Sequence, residues 1–256
     1  TFTNKAASEM RERVEQLGVE RGAWICTFHA MCARILRRDI EHLGTWTRDF
    51  TIYDTDDRAR LLRDLIKAAG YDPVQFKPGE IGAWISARKN RRESARDEAE
   101  LEQGLGLAEQ AFRRVERDYA AALAKNNALD FDDLLLKTIQ LFEQHLGVRD
   151  AYADRFRYLL VDEYQDTNRV QYELLRHLTS AHGNLAVCGD PDQSIYAWRG
   201  ADIRNILDFE RDFPGCKVVR LEQNYRSTQT ILDAASALIR NNRARKDKAL
   251  WSELGA

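Results

Sequence analysis

The chain has 256 residues, of which 44% are hydrophobic, 31% charged and 9% aromatic. That balance excludes a disordered, collagen-like or disulfide-scaffold protein and suffices for one large domain or two ordinary ones. With 39 basic and 41 acidic residues the net charge is −2, so any contact with nucleic acid has to be local and cannot rest on overall charge.

No run approaches the roughly 18 apolar residues of a membrane span, and the first residues do not form a basic-then-apolar leader. Four cysteines, Cys26, Cys32, Cys188 and Cys216, show no C-x-x-C pair. They read as reduced, buried thiols, and the expectation is a cytoplasmic protein without a membrane partner.

In chain order, Phe2 and Thr3 read as the end of a strand entering a helix at Asn4. A first strand cut this short leads us to expect a piece of a longer chain. Short apolar runs follow at 24–27, 158–161, 185–188 and 218–221. They are continuous, not alternating, and predict strands covered by helices on both faces.

Between the last three runs, helices are expected from about Arg169 to Thr179, after Asp202 with Ile203, Ile206, Leu207 and Phe209 inward, and after Ser227. Strand–helix alternation predicts an α/β fold with a mostly parallel sheet. From 55 to 127 no strand is expected. Helices are predicted at 56–69, stopped by Gly70, at 80–90 and at 105–125, with the densely charged stretch 91–103 between the last two. The predicted organisation is a first part of an α/β core at 1–54, a helical insertion domain at 55–127 and a second part of the core at 128–256.

The sharpest local signal is Leu159-Leu160-Val161-Asp162-Glu163, a buried strand running into two carboxylates. Open parallel sheets bind ligands at that edge. Nucleotide hydrolysis uses one acid to hold Mg²⁺ and another to take a proton from water. Taken alone, the pair reads better as two surface acids at a solvated strand end, because Asp-Glu after apolar residues is frequent by chance. The neighbouring strand ends alter that balance: one runs into Gly189–Gly200, with Gln193, Tyr196, Trp198 and Arg199, and the other into Gln223-Asn224-Tyr225-Arg226.

Together these segments resemble the superfamily-one DNA helicases of the UvrD/PcrA/Rep type. Five motifs match in order, at 1–7, 27–29, 161–166, 189–200 and 223–226, and Leu129-Asp130-Phe131-Asp132-Asp133-Leu134 is also similar. The resemblance implies a RecA-like P-loop NTPase core, incomplete at its N-terminus, with a helical insertion domain. It implies ATP and Mg²⁺ as cofactors, and single-stranded DNA and single-strand/duplex junctions as partners. It also implies 3′-to-5′ movement in repair or replication.

By the same resemblance Asp162 ligates Mg²⁺ and Glu163 is the catalytic base. Gln193 senses the γ-phosphate, Arg226 is an arginine finger and Tyr225 stacks on adenine. Phe2, Tyr196 and Trp198 would stack on bases, at roughly 1–3 kcal/mol each, and Arg199 would contact a phosphate or base. Thr3 and Asn4 begin a helix that can hold a phosphate, and Thr27 and His29 lie at an equivalent turn.

Alternatives remain at this point. His29 reads equally as a satisfied structural histidine, Tyr225 as a core tyrosine, and the basic cluster Arg88–Arg92 beside Trp84 as either a duplex-facing patch or a solvated helix face. None of the fourteen glycines is followed by lysine, so the phosphate cradle G-x-x-x-x-G-K-[ST] is missing. The expectation is a helicase segment that hydrolyses nothing by itself. The competing readings are a non-catalytic DNA-binding or interaction module and the motor of a helicase–nuclease.

Overall fold

Five of the described α-helices start at a Thr, Asp or Asn whose side chain accepts from the backbone amide three residues on, as the structure, a computed structural model, shows. It describes residues 1–18, 22–92, 106–242 and 248–255. The chain divides into two compact units, Thr1–Val161 with Asn168–Ala186, and Asp162–Thr167 with Val187–Ala256.

In the first unit, α1 (Asn4–Gln16) is capped by the Thr3 hydroxyl, which accepts from the Ala6 amide, and α2 (Phe28–Asp39) by Thr27, which accepts from Ala30. The strand β1 (Thr51–Ile52) is followed by α3 (Thr55–Ala68), α4 (Pro78–Arg91) and α5 (Leu107–Lys125). Asp54 caps α3 through the Asp56 and Asp57 amides, and Gly70 beyond its end takes φ +82°. The chain then returns in β2 (Ala128–Leu129), which pairs in parallel with β1, Thr51 opposite Ala128. The stretch expected to be strand-free thus leaves and rejoins the chain at one two-stranded ladder.

After β2 come α6 (Phe131–Gln144), opened by a reciprocal cap between Asp130 and Asp133, α7 (Leu146–Arg155) and β3 (Leu159–Val161). Next are α8 (Arg169–Leu178), with the same kind of cap between Asn168 and Gln171, and β4 (Leu185–Val187), which pairs with β3. Leu62, Ile66, Ile81, Ile85, Val115, Tyr119 and Leu123 form one core among α3, α4 and α5. Elsewhere in the unit α2 packs against α6, and α6 against α8.

A polar seam runs through this unit. The Lys89 ammonium lies 2.8 Å from both Asp130 and Asp133, and the Tyr119 hydroxyl donates to Asp130 at 3.0 Å. Burial disfavours the Lys89 charge, but Asp133 and Asp130 hold its pKa above the ordinary value. Arg88 pairs with Glu116 at 3.2 Å and lies over the Trp84 ring, and Arg92 joins Glu143 at 2.9 Å and also Glu173. Arg88, Lys89 and Arg92 of the basic cluster are thus held in internal ion pairs, while Arg91 and Arg92 stay exposed. Residues 93–103 of the charged stretch lie outside the described residues.

The second unit has short helical turns at Tyr164–Asp166, Pro191–Gln193 and Ala197–Arg199. It also holds α9 (Arg204–Leu207), α10 (Phe209–Asp212) and α11 (Gln229–Ile239). The single helix expected after Asp202 is two, separated at Asp208.

Two of the four apolar runs are not strands. The Ile25 carbonyl accepts from the Arg11 guanidinium at 2.9 Å, a side chain and not a neighbouring strand. Val218, Val219 and Leu221 are more than half exposed. A β-rich composition makes a strand only where a neighbouring strand supplies partners. Among the described residues the sheets are therefore two-stranded, and the fold is α/β with helices dominant.

The cysteine expectation also needs correction. All four are free, but only Cys32 is buried, and its thiol is pushed up to about 12, chiefly by burial. Cys188 is exposed, and Cys26 and Cys216 are partly so. Among the described residues no helix is long and apolar enough to cross a membrane.

Candidate functional site

The second unit assembles most of the expected chemistry. Beyond the end of β3 the chain turns at Glu163, whose backbone is left-handed with φ +54° and ψ +44°. That conformation is unfavourable for a residue with a side chain and persists only where its surroundings enforce it. Here they do. The Tyr164 amide donates to the Cys188 carbonyl at 2.9 Å, and the fully buried Tyr164 ring meets Phe209 edge-on at 5.5 Å. Asn205 donates to the Thr167 carbonyl at 3.0 Å and to its hydroxyl at 3.1 Å.

This turn presents Asp162 and Glu163. No side chain among the described residues hydrogen-bonds or ion-pairs with the partly exposed Asp162 carboxylate. The exposed Glu163 accepts one bond, from Gln165 Nε2 to Oε2 at 2.7 Å. Asp166, next to it, is buried, and its carboxyl is held above the usual carboxylate range by burial and then by the Glu163 charge.

Gln165 links this turn to the segment after β4. Its side chain is 1% exposed, and its Oε1 accepts from the Asp190 amide at 3.0 Å. A Cβ on Gly189 would lie 2.6 Å from that oxygen and 2.9 Å from Ile206 Cδ1, so only glycine allows the approach. Asp190 in turn accepts from the Asp192 amide at 3.0 Å and from the Gln193 side chain at 2.8 Å.

The Lys248 ammonium ion-pairs with Asp190 and lies 3.3 Å from Asp192. Burial works against the Asp190 charge, but Lys248 and Gln193 keep its carboxyl below the ordinary range. From Lys248 the connection continues to the third expected segment. The Ala249 amide donates to Glu222 at 3.0 Å, the Trp251 amide to the Glu222 carbonyl at 3.0 Å, and the Asn224 amide to the Trp251 carbonyl at 2.8 Å. The Asn224 side chain then accepts from the Arg226 and Ser227 amides at 2.9 and 2.8 Å.

The loops at 162–167, 189–200 and 222–227 are thus joined in one unit by a continuous chain of polar contacts. Tyr225 is exposed, with its hydroxyl donating to Gln223 at 2.7 Å, so it is not a core tyrosine. Arg226 is exposed as well. Trp198 is 75% exposed, with the Tyr196 ring 6.4 Å away. The side chain of Arg199 lies outside the described residues.

The remaining candidates lie in the first unit. Thr3 and Thr27 each spend a hydroxyl on a helix cap. Asn4 is exposed and Phe2 partly so. His29 is half-covered, edge-on to Phe131 at 5.8 Å, and burial lowers its pKa against the pull of Asp132.

Sequence reasoning did not single out Gln165 or Lys248. Their partners lie 25 and 58 residues away, and no local spacing marks such pairs. Among the described residues no cluster of three or more His, Cys, Asp or Glu could hold a metal by itself. A single partnerless carboxylate such as Asp162 suits Mg²⁺, which binds through one or two carboxylates and fills its other positions with water and phosphate oxygens.

Residues 1–214 match the family model of the UvrD/REP helicase N-terminal domain. The chain is 50% identical over 256 residues to ATP-dependent DNA helicase PcrA of Bacillus subtilis (strain 168), covering 99% of this chain and 34% of that protein. It is 47% identical over 254 residues to ATP-dependent DNA helicase PcrA of Staphylococcus aureus (strain Mu50 / ATCC 700699), covering 98% and 34%. It therefore spans about a third of the length of these curated relatives. On the match to residues 1–214 and the identity over nearly its whole length, the chain belongs to the UvrD/REP helicase N-terminal domain family.

Proposed function

We propose that this chain is part of the motor of an ATP-dependent DNA helicase, built on a RecA-like core into which residues 55–127 are inserted as a helical domain. The observation that carries the reading is the polar chain Glu163–Gln165–Asp190–Gln193 in one unit, with the exposed Trp198 and the half-buried Tyr196 on the segment that holds Gln193. The relatives' names, ATP-dependent DNA helicases, support it.

Asp162 would hold Mg²⁺, which when bound offsets charge on the phosphates. Glu163 would accept the proton of the attacking water through a carboxylate oxygen, a role worth roughly 10²–10⁴ in rate. Arg226, with its guanidinium in solvent, would place its fork on charge growing in the transition state, and Tyr225 would stack on the adenine ring. Gln193 rests on Asp190, and leaving it for the γ-phosphate would move the segment that bears Tyr196, Trp198 and Arg199. Those side chains, with Phe2, Thr3, Asn4, Thr27 and His29, would contact single-stranded DNA, also at junctions with duplex. Movement is read as 3′-to-5′, in repair or replication in the cytoplasm, and the segment by itself as inactive in hydrolysis.

In the full-length parent, Glu163→Gln is expected to lower DNA-stimulated ATP turnover by about 10²-fold or more. Affinity for a fluorescent ATP analogue with Mg²⁺ is expected to stay near wild type. Turnover preserved in that variant would remove Glu163 as the base.

A further inference from the structure

We propose that Gln165 is a positioning residue for the Glu163 carboxylate and fixes it to the segment that carries Gln193. The inference rests on the reading of Glu163 as the base.

The orientation of the Gln165 amide is determined by its partners. A backbone N–H only donates, so the atom 3.0 Å from the Asp190 nitrogen is Oε1, an acceptor. The NH₂ group therefore faces Glu163, and its hydrogen bond to Oε2 at 2.7 Å is charge-assisted. Its second hydrogen points toward Asp166 Oδ2 at a long 3.4 Å. The backbone carbonyl of Gln165 also accepts from the Ser194 hydroxyl at 3.2 Å, a second tie to the same segment.

The amide is 1% exposed and stands against Gly189, where a methyl group has no room. It has a single seat. Glu163, by contrast, is exposed and on a left-handed backbone. Without Gln165 its carboxylate would sample several rotamers in water. With Oε2 occupied, Oε1 is the oxygen available to a proton, and it is held where the turn aims it. A base needs that fixed position more than it needs added basicity, since misplacement by an ångström costs on the order of 10²-fold.

The test uses the full-length parent. Gln165→Glu keeps the length and the acceptor for the Asp190 amide but puts a carboxylate oxygen in place of the donor that faces Glu163, so like-charge repulsion adds to the loss of the bond; Gln165→Met removes the donor without that charge. Turnover is expected to fall roughly 10- to 100-fold. KM for ATP, and the dissociation constant of a fluorescent non-hydrolysable ATP analogue with Mg²⁺, are expected to stay within about twofold, as for a group acting only in the transition state. An unchanged kcat, or nucleotide affinity lost in step with kcat, overturns the proposal. If Gln165→Glu fails to fold, Gln165→Met is read by the same split. A parent without DNA-stimulated ATPase overturns the functional reading and this inference with it. An active parent that loses activity in Glu163→Gln but not in Gln165→Glu overturns this inference alone.

Discussion

Gly189 is the position where one added carbon has the largest consequence. Its Cβ would meet Gln165 Oε1 at 2.6 Å, Ile206 Cδ1 at 2.9 Å and the Tyr164 backbone nitrogen at 3.1 Å. Neither the backbone nor the buried amide yields easily. Gly189→Ala is therefore expected to push Gln165 off its seat and reproduce its loss from the opposite side. Overpacking of this kind costs about 1–3 kcal/mol, read as a lowered denaturation midpoint of the chain. In the parent, kcat is expected to fall while KM for ATP moves little; an Ala variant with full kcat would show that the turn has slack.

At this scale the sequence was legible where chemistry is local. Asp162 and Glu163 stand out as polar residues directly after an apolar run, and Gln193 enters through the resemblance of its segment. Gln165 was not legible, because an amide two residues past a base reads as an ordinary turn residue until the Asp190 backbone is seen against it. Lys248 is further from reach, since nothing near it marks a partner 58 residues upstream.

Elements were legible in proportion to how locally they are specified. The predicted helices at 56–69, 80–90 and 169–179 appear within two residues of their expected ends, because caps, periodic apolar residues and stops such as Gly70 are written into the segment itself. The runs at 24–27 and 218–221 failed as strands because a strand's hydrogen bonds belong to another segment. The seam between α4, α5 and α6 shows the same limit for charge: Arg88, Lys89 and Arg92 look like a solvated basic stripe until partners 28 to 81 residues away are placed. Lys89 is central, being the shared counter-ion of Asp130, 1% exposed, and Asp133. Lys89→Met would leave two buried carboxylates facing each other at the start of α6. The expected loss is about 3–5 kcal/mol, measured by urea denaturation. Adding Asp130→Asn and Asp133→Asn to that variant is expected to recover part of it, and a Lys89→Met chain as stable as wild type would show that water reaches the pair.

For the molecule as a whole, these burials set how stability responds to pH. Burial lowers the pKa of His29 and of His177 below the ordinary 6.5, while Asp132 and Glu143 respectively pull the other way. Above that pH both rings are neutral in folded and unfolded chains and cost nothing. As pH falls through it, the unfolded chain takes up protons that the folded one resists, so stability drops toward the lower folded values. Buried Asp133 and Asp166, held above the carboxylate range, act in the opposite sense, and Asp130, Asp190 and Glu173, held below it, lose their contribution only at more acid pH. The His29 part is isolated by comparison with His29→Gln, which keeps a neutral polar side chain at every pH. Between pH 7 and 5.5 wild type is expected to lose up to about 1 kcal/mol more than the variant. Parallel curves would mean that His29 protonates freely in the folded chain.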